Sequence, residues 1–359
     1  VVAAETRISF VDPNGQLYYS GYNIHDLAKH VSYEEVVHLL WYNRLPNKKE
    51  LLGLRSKLIS EMRLPDQVNK AIEDMSLCST DSHPMDILRS AVSYLGLFDP
   101  DRMDNSESAN MRKALRLVAK VPTIVANLHR ISTRKPITTP DPELGFAANF
   151  LHMFRGTVPD EEEKEAIDRY MVLHADHGLN ASTFSARVTA STWSDMYSAI
   201  TSAIGTLKGP LHGGASERVM GMLDEIDNVE EVEAYIEGML ANRRRIMGFG
   251  HRVYRAEDPR ARHLREMSEK LCQRTNQEHL YKKSHRIEDV VRQKKGIFPN
   301  VDFYAATVIH ALGVPREYFA ALFASSRTSG WTAHVIEQYK DNRLIRPTSK
   351  YIGSYGRPF

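Results

Sequence analysis

Helix start and stop signals recur along almost the whole 359-residue sequence, whereas strand signals are sparse. The segment 32–35 (SYEE) has the capping-box pattern that opens a helix, and the Asp-Pro pair at 258–259 is typical of another helix start. Apolar residues repeat every four positions from 196 to 204, until Gly-Pro at 209–210 ends the run. The best strand signal, at 17–24, predicts only a small hairpin or extended arm. The sequence therefore predicts an all-α fold.

Length and composition narrow the class of protein. A chain of 359 residues exceeds the usual size of one core, so we expect two domains. The apolar fraction of 42% and the charged fraction of 26% are those of an ordinary globular protein. A net charge of +2 argues against a nucleic-acid partner, and no apolar run is long enough to span a bilayer.

Localisation is predicted from the cysteines and the first residues. The sequence contains two cysteines, Cys78 and Cys272, far apart, which form neither a disulfide framework nor a zinc motif. Residues 1–10 lack the charged-then-apolar pattern of a signal peptide. Both observations favour a reducing cytoplasm.

Three short segments each place one ionisable residue at a turn built from Gly or Pro. They contain His212 in GPLHGG, His251 in GFGHR and Asp302 in FPNVDF. Together they supply two proton donors and one base, a set suited to making and using a carbon nucleophile. Their function depends on whether the fold brings them together.

Asp302 lies two residues after Asn300, which we predict to cap a helix. The positive end of that helix would favour the carboxylate and keep it available as a base. The alternative is that Asp302 is only a second capping acid.

His212 precedes a helix that we predict to begin at about Gly213. A cationic imidazole is disfavoured at a helix N-terminus, so His212 would act as a neutral N–H donor to a carbonyl becoming an enolate. The alternative is a structural histidine with satisfied hydrogen bonds.

Basic residues surround the third segment. His251 is followed by Arg252, Arg255 and Arg260, a setting that suits a polyanionic substrate. The arginines at 243–245 adjoin the glycine turn and would suit a phosphate-bearing ligand, although solvated helix faces are the plainer interpretation.

His174 and His177 are three residues apart and share a helix face, as metal ligands often do. No further cluster of His, Asp or Cys has ligand spacing in this sequence. We therefore predict no metal.

These motifs resemble those of the citrate synthase family. The segments around His212, His251 and Asp302 are similar to its three catalytic segments. The segment 174–182 (HADHGLNAS) resembles its oxaloacetate-binding histidine loop, and SRTSGW and RPTSKY near the C-terminus resemble its arginine motifs. The resemblance covers nearly the whole chain in order, and it is to the shorter dimeric type found in archaea and some bacteria.

The resemblance implies a reaction and a role for each residue. Asp302 would remove a methyl proton from acetyl-CoA while His212 donates a hydrogen bond to the thioester oxygen. The enol would attack the ketone of oxaloacetate with His251 protonating the alkoxide, and hydrolysis of citryl-CoA would release citrate and CoA.

Binding residues follow from the same resemblance. His177, Arg260, Arg327 and Arg346 would hold the oxaloacetate carboxylates, with Arg346 contributed by the partner subunit of a homodimer. No cofactor would be bound permanently, since the coenzyme A thioester is a co-substrate. The residues expected to contact coenzyme A are Arg245, Ile246, Met247, Gly248, Arg255 and Lys295.

The resemblance also implies a large helical domain with a smaller helical domain inserted into it. Residues 1–213 and 314–359 would form the large domain and residues 214–313 the small one, which would close over oxaloacetate. The sequence departs from the family pattern at Ser216, often Asn, and at Ala305 and Ala306, often Ser-Gly, which affects positioning rather than the reacting groups.

Three other functions remain open from sequence. A 2-methylcitrate synthase would use propionyl-CoA with the same residues. A helical metal-dependent phosphohydrolase would use His25, Asp26 and the histidines at 174 and 177 as ligands. A non-catalytic helical scaffold would give the three ionisable residues no role.

Overall fold

The computed structural model describes residues 3–78 and 82–358, and within them the chain has 16 α-helices and three short strands. Residues 1, 2, 79–81 and 359, which belong to the predicted large domain, lie outside the described part. The prediction of an all-α fold is confirmed. The helices are α1 (Ile24–His30), α2 (Tyr33–Tyr42), α3 (Lys48–Glu61), α4 (Asp66–Cys78), α5 (Pro84–Leu95), α6 (Glu107–Ser132), α7 (Phe146–Arg155), α8 (Glu161–His174), α9 (Ala181–Ser191), α10 (Met196–Leu207), α11 (Ala215–Asp224), α12 (Val232–Ala241), α13 (Pro259–Arg274), α14 (Glu278–Lys295), α15 (Val301–Ala311) and α16 (Phe319–Lys340).

The strands form one small N-terminal sheet. β1 (Ser9–Asp12), β2 (Gln16–Tyr19) and β3 (Tyr22–Asn23) pair antiparallel in chain order. Leu17 and Tyr19 of β2 point into the core, so one face of the sheet is packed and the other is open. The predicted hairpin is therefore present, with β1 as an additional strand that the sequence did not indicate.

Helix starts follow the capping signals of the sequence. Ser32 and Glu35 cap α2 reciprocally, and Asp258 accepts a hydrogen bond from the Arg260 amide at the start of α13. One start differs from the prediction. The helix after His212 begins at Ala215 rather than at about Gly213, which leaves His212 inside a turn.

The centre of the fold is α16, whose residues 319–335 are all buried. It packs against α6, α9, α2 and α8. Its serines and threonines donate to carbonyls one turn earlier, as Ser325 does to Ala321, so their hydroxyl groups are satisfied without water. A polar helix can therefore be buried and carry Arg327 into the interior.

Helices α11 to α15, within the predicted small domain, pack mainly on one another. Side chains also join them to the flanking segments. Arg274 of α13 pairs with Asp160 at the start of α8, and His25 Nδ1 lies 2.8 Å from His263 Nε2. The division into domains at 214–313 stays a prediction. Across residues 3–78 and 82–358, none of the helices combines the length and apolarity needed to span a bilayer.

Candidate functional site

Backbone hydrogen bonds join the loop of His251 to the loop of Asp302. Gly250 N donates to Phe298 O at 3.0 Å, and Asn300 N donates to Gly248 O at 2.8 Å. The Asn300 side-chain amide also donates to Gly250 O at 2.9 Å. Two segments about 50 residues apart are thereby held side by side, so the second and third ionisable residues lie in one site.

Asp302 lies in the first turn of α15, where Asn300 Oδ1 accepts from its amide at 3.0 Å. Burial raises the pKa of the Asp302 carboxyl to about 7, with Arg260 and Arg327 opposing the shift and Asp258 adding to it. The predicted influence of the helix N-terminus is outweighed by burial. A carboxyl group of this pKa can accept a proton near neutral pH.

His212 is held by Ser182, at the start of α9. Ser182 N donates to His212 Nε2 at 3.3 Å, and Ser182 Oγ lies 2.9 Å from the same nitrogen. Because a backbone amide can only donate, the proton of the neutral ring is on Nδ1. Burial, followed by the charge of Arg327, lowers the pKa of His212 to about 4. His212 is thus a neutral N–H donor, as expected, but burial rather than a helix terminus is the cause.

The second imidazole has the opposite tautomer. His251 Nδ1 accepts from Val253 N at 3.0 Å and from Tyr254 N at 2.9 Å, so Nε2 carries the proton. Burial, then Arg260, lowers the pKa of His251 to about 4. Both imidazoles therefore offer a fixed N–H group at neutral pH.

His177 packs against His251, with ring centroids 5.2 Å apart. Its Nε2 lies 3.0 Å from the hydroxyl of Tyr254, whose ring stacks on His251 at 4.4 Å. Burial and the charges of Arg260 and Arg327 hold the pKa of His177 well below its usual range. His177, Tyr254 and His251 thus form one packed cluster of rings.

The buried carboxylate of Asp176 fixes the loop that carries His177. It accepts from Ser9 Oγ, from Gly178 N at 2.9 Å and from His334 Nε2 at 3.3 Å. Despite burial, His334 and the other partners hold the pKa of Asp176 below its usual range. All three donors contact Oδ2 of this carboxylate, which ties the loop of His177 to β1 and to α16.

Two buried arginines face the cluster. Arg260 forms a bidentate pair with Asp258 (Nε to Oδ1 2.9 Å, Nη2 to Oδ2 2.7 Å), and Asp258 also accepts from Val301 N at 3.2 Å. Arg327 donates from Nε to His174 O at 2.6 Å, and its guanidinium lies 4.7 Å from the Phe323 ring centroid. Their other donors remain available for a carboxylate ligand.

Arg346 lies in the exposed C-terminal segment that follows α16, where Nη1 donates to Pro347 O at 3.4 Å. The hydrogen bonds among the described residues do not join it to His212, His251 or Asp302. By contrast, the charges of Arg260, Arg327, His251 and His212 all act on His177. Arg327 also acts on both His212 and Asp302, so these predicted residues lie near one another within one chain.

The residues predicted to contact coenzyme A differ in exposure. Arg245, Arg255 and Lys295 are exposed, and the Arg255 amide donates to Pro13 O at 2.9 Å. Ile246 is buried, Met247 is partly buried, and Gly248 packs against Phe303 next to Asp302. This segment thus runs from the protein surface to the residue next to Asp302.

The histidines of the metal-site interpretation have other partners in the fold. His25 pairs with His263, while the ring of His174 stacks on Tyr170 at 4.0 Å and its Nδ1 lies 2.8 Å from Tyr170 O. Within the described ranges, no three His, Cys, Asp or Glu residues are arranged to hold a metal ion.

Sequence reasoning missed three residues that support the site. Ser182 determines the tautomer of His212, Tyr254 contacts both His177 and His251, and Asp258 links Arg260 to the helix of Asp302. Each lies within eight residues of a predicted site residue, but only the fold reveals its partner. The departures from the family pattern are buried helix residues: Ser216 in α11, and Ala305 and Ala306 in α15.

Comparison with known proteins gives concordant matches. The family model described as citrate synthase, C-terminal domain, matches residues 1–348. Citrate synthase 2 of Bacillus subtilis (strain 168) is 49% identical over 98% of this chain and 94% of its own length, and citrate/2-methylcitrate synthase of the same strain is 42% identical over 98% and 95%. A ternary complex of carboxymethyl coenzyme A and oxaloacetate with citrate synthase from Thermoplasma acidophilum has a TM-score of 0.94, with 33% identity, covering 100% of this chain and 96% of that one.

Proposed function

The chain belongs to the citrate synthase family, and from that premise we propose how its residues catalyse the reaction. The enzyme transfers an acyl group: it condenses acetyl-CoA with oxaloacetate to give citrate and CoA. The observation that carries the proposal is the pairing of a carboxyl group of pKa about 7 with two neutral imidazoles of fixed, opposite tautomers. A base and two N–H donors are the groups that enolisation and condensation need.

In the first step, Asp302 takes a proton from the methyl group of acetyl-CoA. His212 donates its Nδ1–H to the thioester oxygen, because Ser182 already occupies Nε2. The enol carbon then attacks the ketone of oxaloacetate, and His251 donates its Nε2–H to the oxygen that becomes the alkoxide. Water hydrolyses citryl-CoA to citrate and CoA.

Oxaloacetate is held by His177 and by the unused donors of Arg260 and Arg327. Bidentate guanidinium–carboxylate pairs fix orientation as well as charge, and both arginines are already restrained by Asp258 and by His174 O. The segment Arg245, Ile246, Met247 and Gly248, with Arg255 and Lys295 beside it, would receive coenzyme A.

Arg346 reaches the site from the partner subunit of a homodimer. Its segment is extended, and apolar side chains there are open to solvent: Ile352 is 90% exposed and Tyr355 is 81% exposed. Exposed large apolar groups of this kind favour burial against another surface. Free thiols at Cys78 and Cys272 support a reducing, cytoplasmic setting.

The reaction is tested by CoA-thiol release from acetyl-CoA with and without oxaloacetate. We expect release only with both substrates, and loss of at least about 10²-fold in Asp302→Asn. Asp302→Asn with wild-type activity would refute the mechanism. The same assay with propionyl-CoA addresses the 2-methylcitrate alternative, since one methylene changes discrimination by about 1–3 kcal/mol.

The dimer is tested by mixing two inactive variants, Asp302→Asn and Arg346→Ala. If the arginine crosses the interface, a mixed dimer has one site with both residues intact, and activity returns on subunit exchange. If both residues act within one chain, no mixed dimer has an intact site and mixing restores nothing. Closure of residues 214–313 predicts a smaller radius of gyration with oxaloacetate, measured by solution scattering.

A further inference from the structure

The N-terminal sheet contacts the site at both of its ends, although none of its side chains takes part in the reaction above. At its base, Ser9 Oγ donates to Asp176 and accepts from Gly178 N at 2.9 Å. Tyr19 adds a second attachment, since its hydroxyl accepts from Asp176 N at 3.2 Å and donates to Asp176 O at 2.8 Å. The base of the sheet therefore holds the residues on both sides of His177.

The tip of the sheet is the turn 12–15 between β1 and β2. Pro13 O accepts from Arg255 N at 2.9 Å. Gly15 has a φ of +86°, and a Cβ placed on it would lie 2.8 Å from Glu257 O and 3.2 Å from Ala256 Cβ. The turn is thus in close contact with the backbone of 255–257.

That short segment has site residues at both ends. Tyr254, on one side, stacks on His251, and Asp258, on the other, holds Arg260. The two loops in contact with the sheet come from parts of the chain predicted to belong to different domains. Four residue pairs join β1 to β2, so the base and tip of the sheet are connected by a hydrogen-bonded ladder rather than by a flexible loop.

We propose that the three-stranded sheet is a positioning element that sets the placement of His177 relative to His251 and Arg260. This inference rests on the proposed function, because these three residues are the ones that bind oxaloacetate and protonate its carbonyl oxygen. A displacement of the turn moves the 255–257 backbone and changes the geometry around oxaloacetate. Misplacement of reacting groups by about 1 Å can cost about 10²-fold in rate.

Two glycines of the same sheet provide a matched test. Gly15 and Gly21 have almost the same φ, +86° and +87°, but a Cβ on Gly21 would lie more than 4 Å from every other described residue that it could meet. Gly15→Ala and Gly21→Ala therefore carry the same left-handed strain, and only Gly15→Ala collides with residue 257. The measurements are kcat and KM for each substrate, and the thermal midpoint of each variant.

We expect Gly15→Ala to lower kcat/KM for oxaloacetate about tenfold or more relative to Gly21→Ala, and to raise KM for acetyl-CoA as well, because the same turn holds the backbone of Arg255. A merely structural turn would lower both thermal midpoints and leave the kinetics of the folded variants alike. Equal kinetics for the two variants would therefore overturn the proposal.

If Gly15→Ala does not fold, Ser9→Ala tests the other end of the sheet. It removes the hydroxyl that contacts Asp176 and Gly178, and we expect a raised KM for oxaloacetate with the KM for acetyl-CoA almost unchanged. Unchanged oxaloacetate kinetics in Ser9→Ala would count against the proposal as the glycine result would. Wild-type protein that releases no thiol would instead contradict the proposed function, so the two failures are distinguishable.

Discussion

The raised pKa of Asp302 leads to a quantitative pH prediction. The base must be ionised to accept a proton, and its pKa is about 7, whereas the pKa values of His212 and His251 are about 4. Both imidazoles therefore stay neutral above about pH 5.5. The acid limb of kcat/KM for oxaloacetate, measured with saturating acetyl-CoA, should therefore report one group only, the Asp302 carboxyl in the oxaloacetate-free site.

The magnitude follows from the ionised fraction. A group of pKa about 7 is about 10% ionised at pH 6 and about 90% ionised at pH 8. We therefore expect kcat/KM to rise about ninefold between these two values, with unit slope below the midpoint. Thiol release is followed from pH 5.5 to 9 at constant ionic strength, and trideuterated acetyl-CoA shows whether proton abstraction limits the rate.

A variant can move this limb in a known direction. The charge of Asp258 raises the pKa of Asp302 directly. Asp258 also pairs with Arg260, whose positive charge lowers the same pKa. Asp258→Asn removes the negative charge and leaves Arg260 unpaired, and both changes shift the limb to lower pH, while the Asn oxygen can still accept from Val301 N. The control is Asp101→Asn, which removes another arginine-paired acid with no hydrogen bond to the site.

Two results would refute this reasoning. A wild-type limb centred between about pH 4 and 5 would mean that burial does not raise the pKa of Asp302. A limb that moves to higher pH in Asp258→Asn would mean that the two charges act with signs opposite to those inferred here. An unchanged limb in Asp101→Asn shows that general loss of charge is not the cause.

Three further predictions concern stability and the ring cluster. Burial, followed by the neighbouring Glu34, raises the pKa of Asp168 to about 7. Its own contribution to the unfolding free energy therefore falls by up to about 1.4 kcal/mol per pH unit as pH rises from about 4 to about 7. Asp168→Asn should remove this contribution and leave that of Asp302, as measured by denaturant unfolding at pH 5 and 8. Gly330→Ala in α16 would place a Cβ against the Asp176 loop and should lower the free energy of unfolding by about 1–3 kcal/mol. Gly238→Ala in α12 has open space among the described residues and should raise it by about 0.5–1 kcal/mol. Equal thermal midpoints for the two variants would contradict this prediction. Tyr254→Phe loses the hydrogen bond to His177 but keeps the stacked ring, so KM for oxaloacetate should rise roughly three- to tenfold with a smaller change in kcat.

Local signals in the sequence predicted much of the fold. Capping pairs such as Ser32 with Glu35 satisfy backbone amides within a few residues, so the start of α2 could be read directly. The turn containing His212 could not, because it depends on the amide of Gly213 donating to Leu207 O, a contact set by packing. For the same reason, the helix start was predicted two residues too early.

The pKa values and tautomers of the site residues could not be predicted from local sequence either. Helix position correctly placed Asp302 in a first turn, but its pKa is decided by burial together with Arg260, Arg327 and Asp258. Those residues come from distant parts of the chain, so no local pattern contains the information. Likewise, the tautomers of the two histidines depend on amides that meet them only in the folded protein.

The two arginines proposed to bind oxaloacetate also act on the proposed base, which would couple substrate binding to enolisation. Arg260 and Arg327 lower the pKa of Asp302 and oppose its desolvation. When the carboxylates of oxaloacetate pair with these guanidinium groups, their field at Asp302 weakens and the pKa of the base rises. Asp302 then becomes a stronger base only when the electrophile is in place. We therefore expect solvent deuterium to enter the methyl group of acetyl-CoA slowly without oxaloacetate, because the unneutralised arginines keep the base weak. Fast exchange without oxaloacetate, measured by mass spectrometry, would show that the arginines do not control the base.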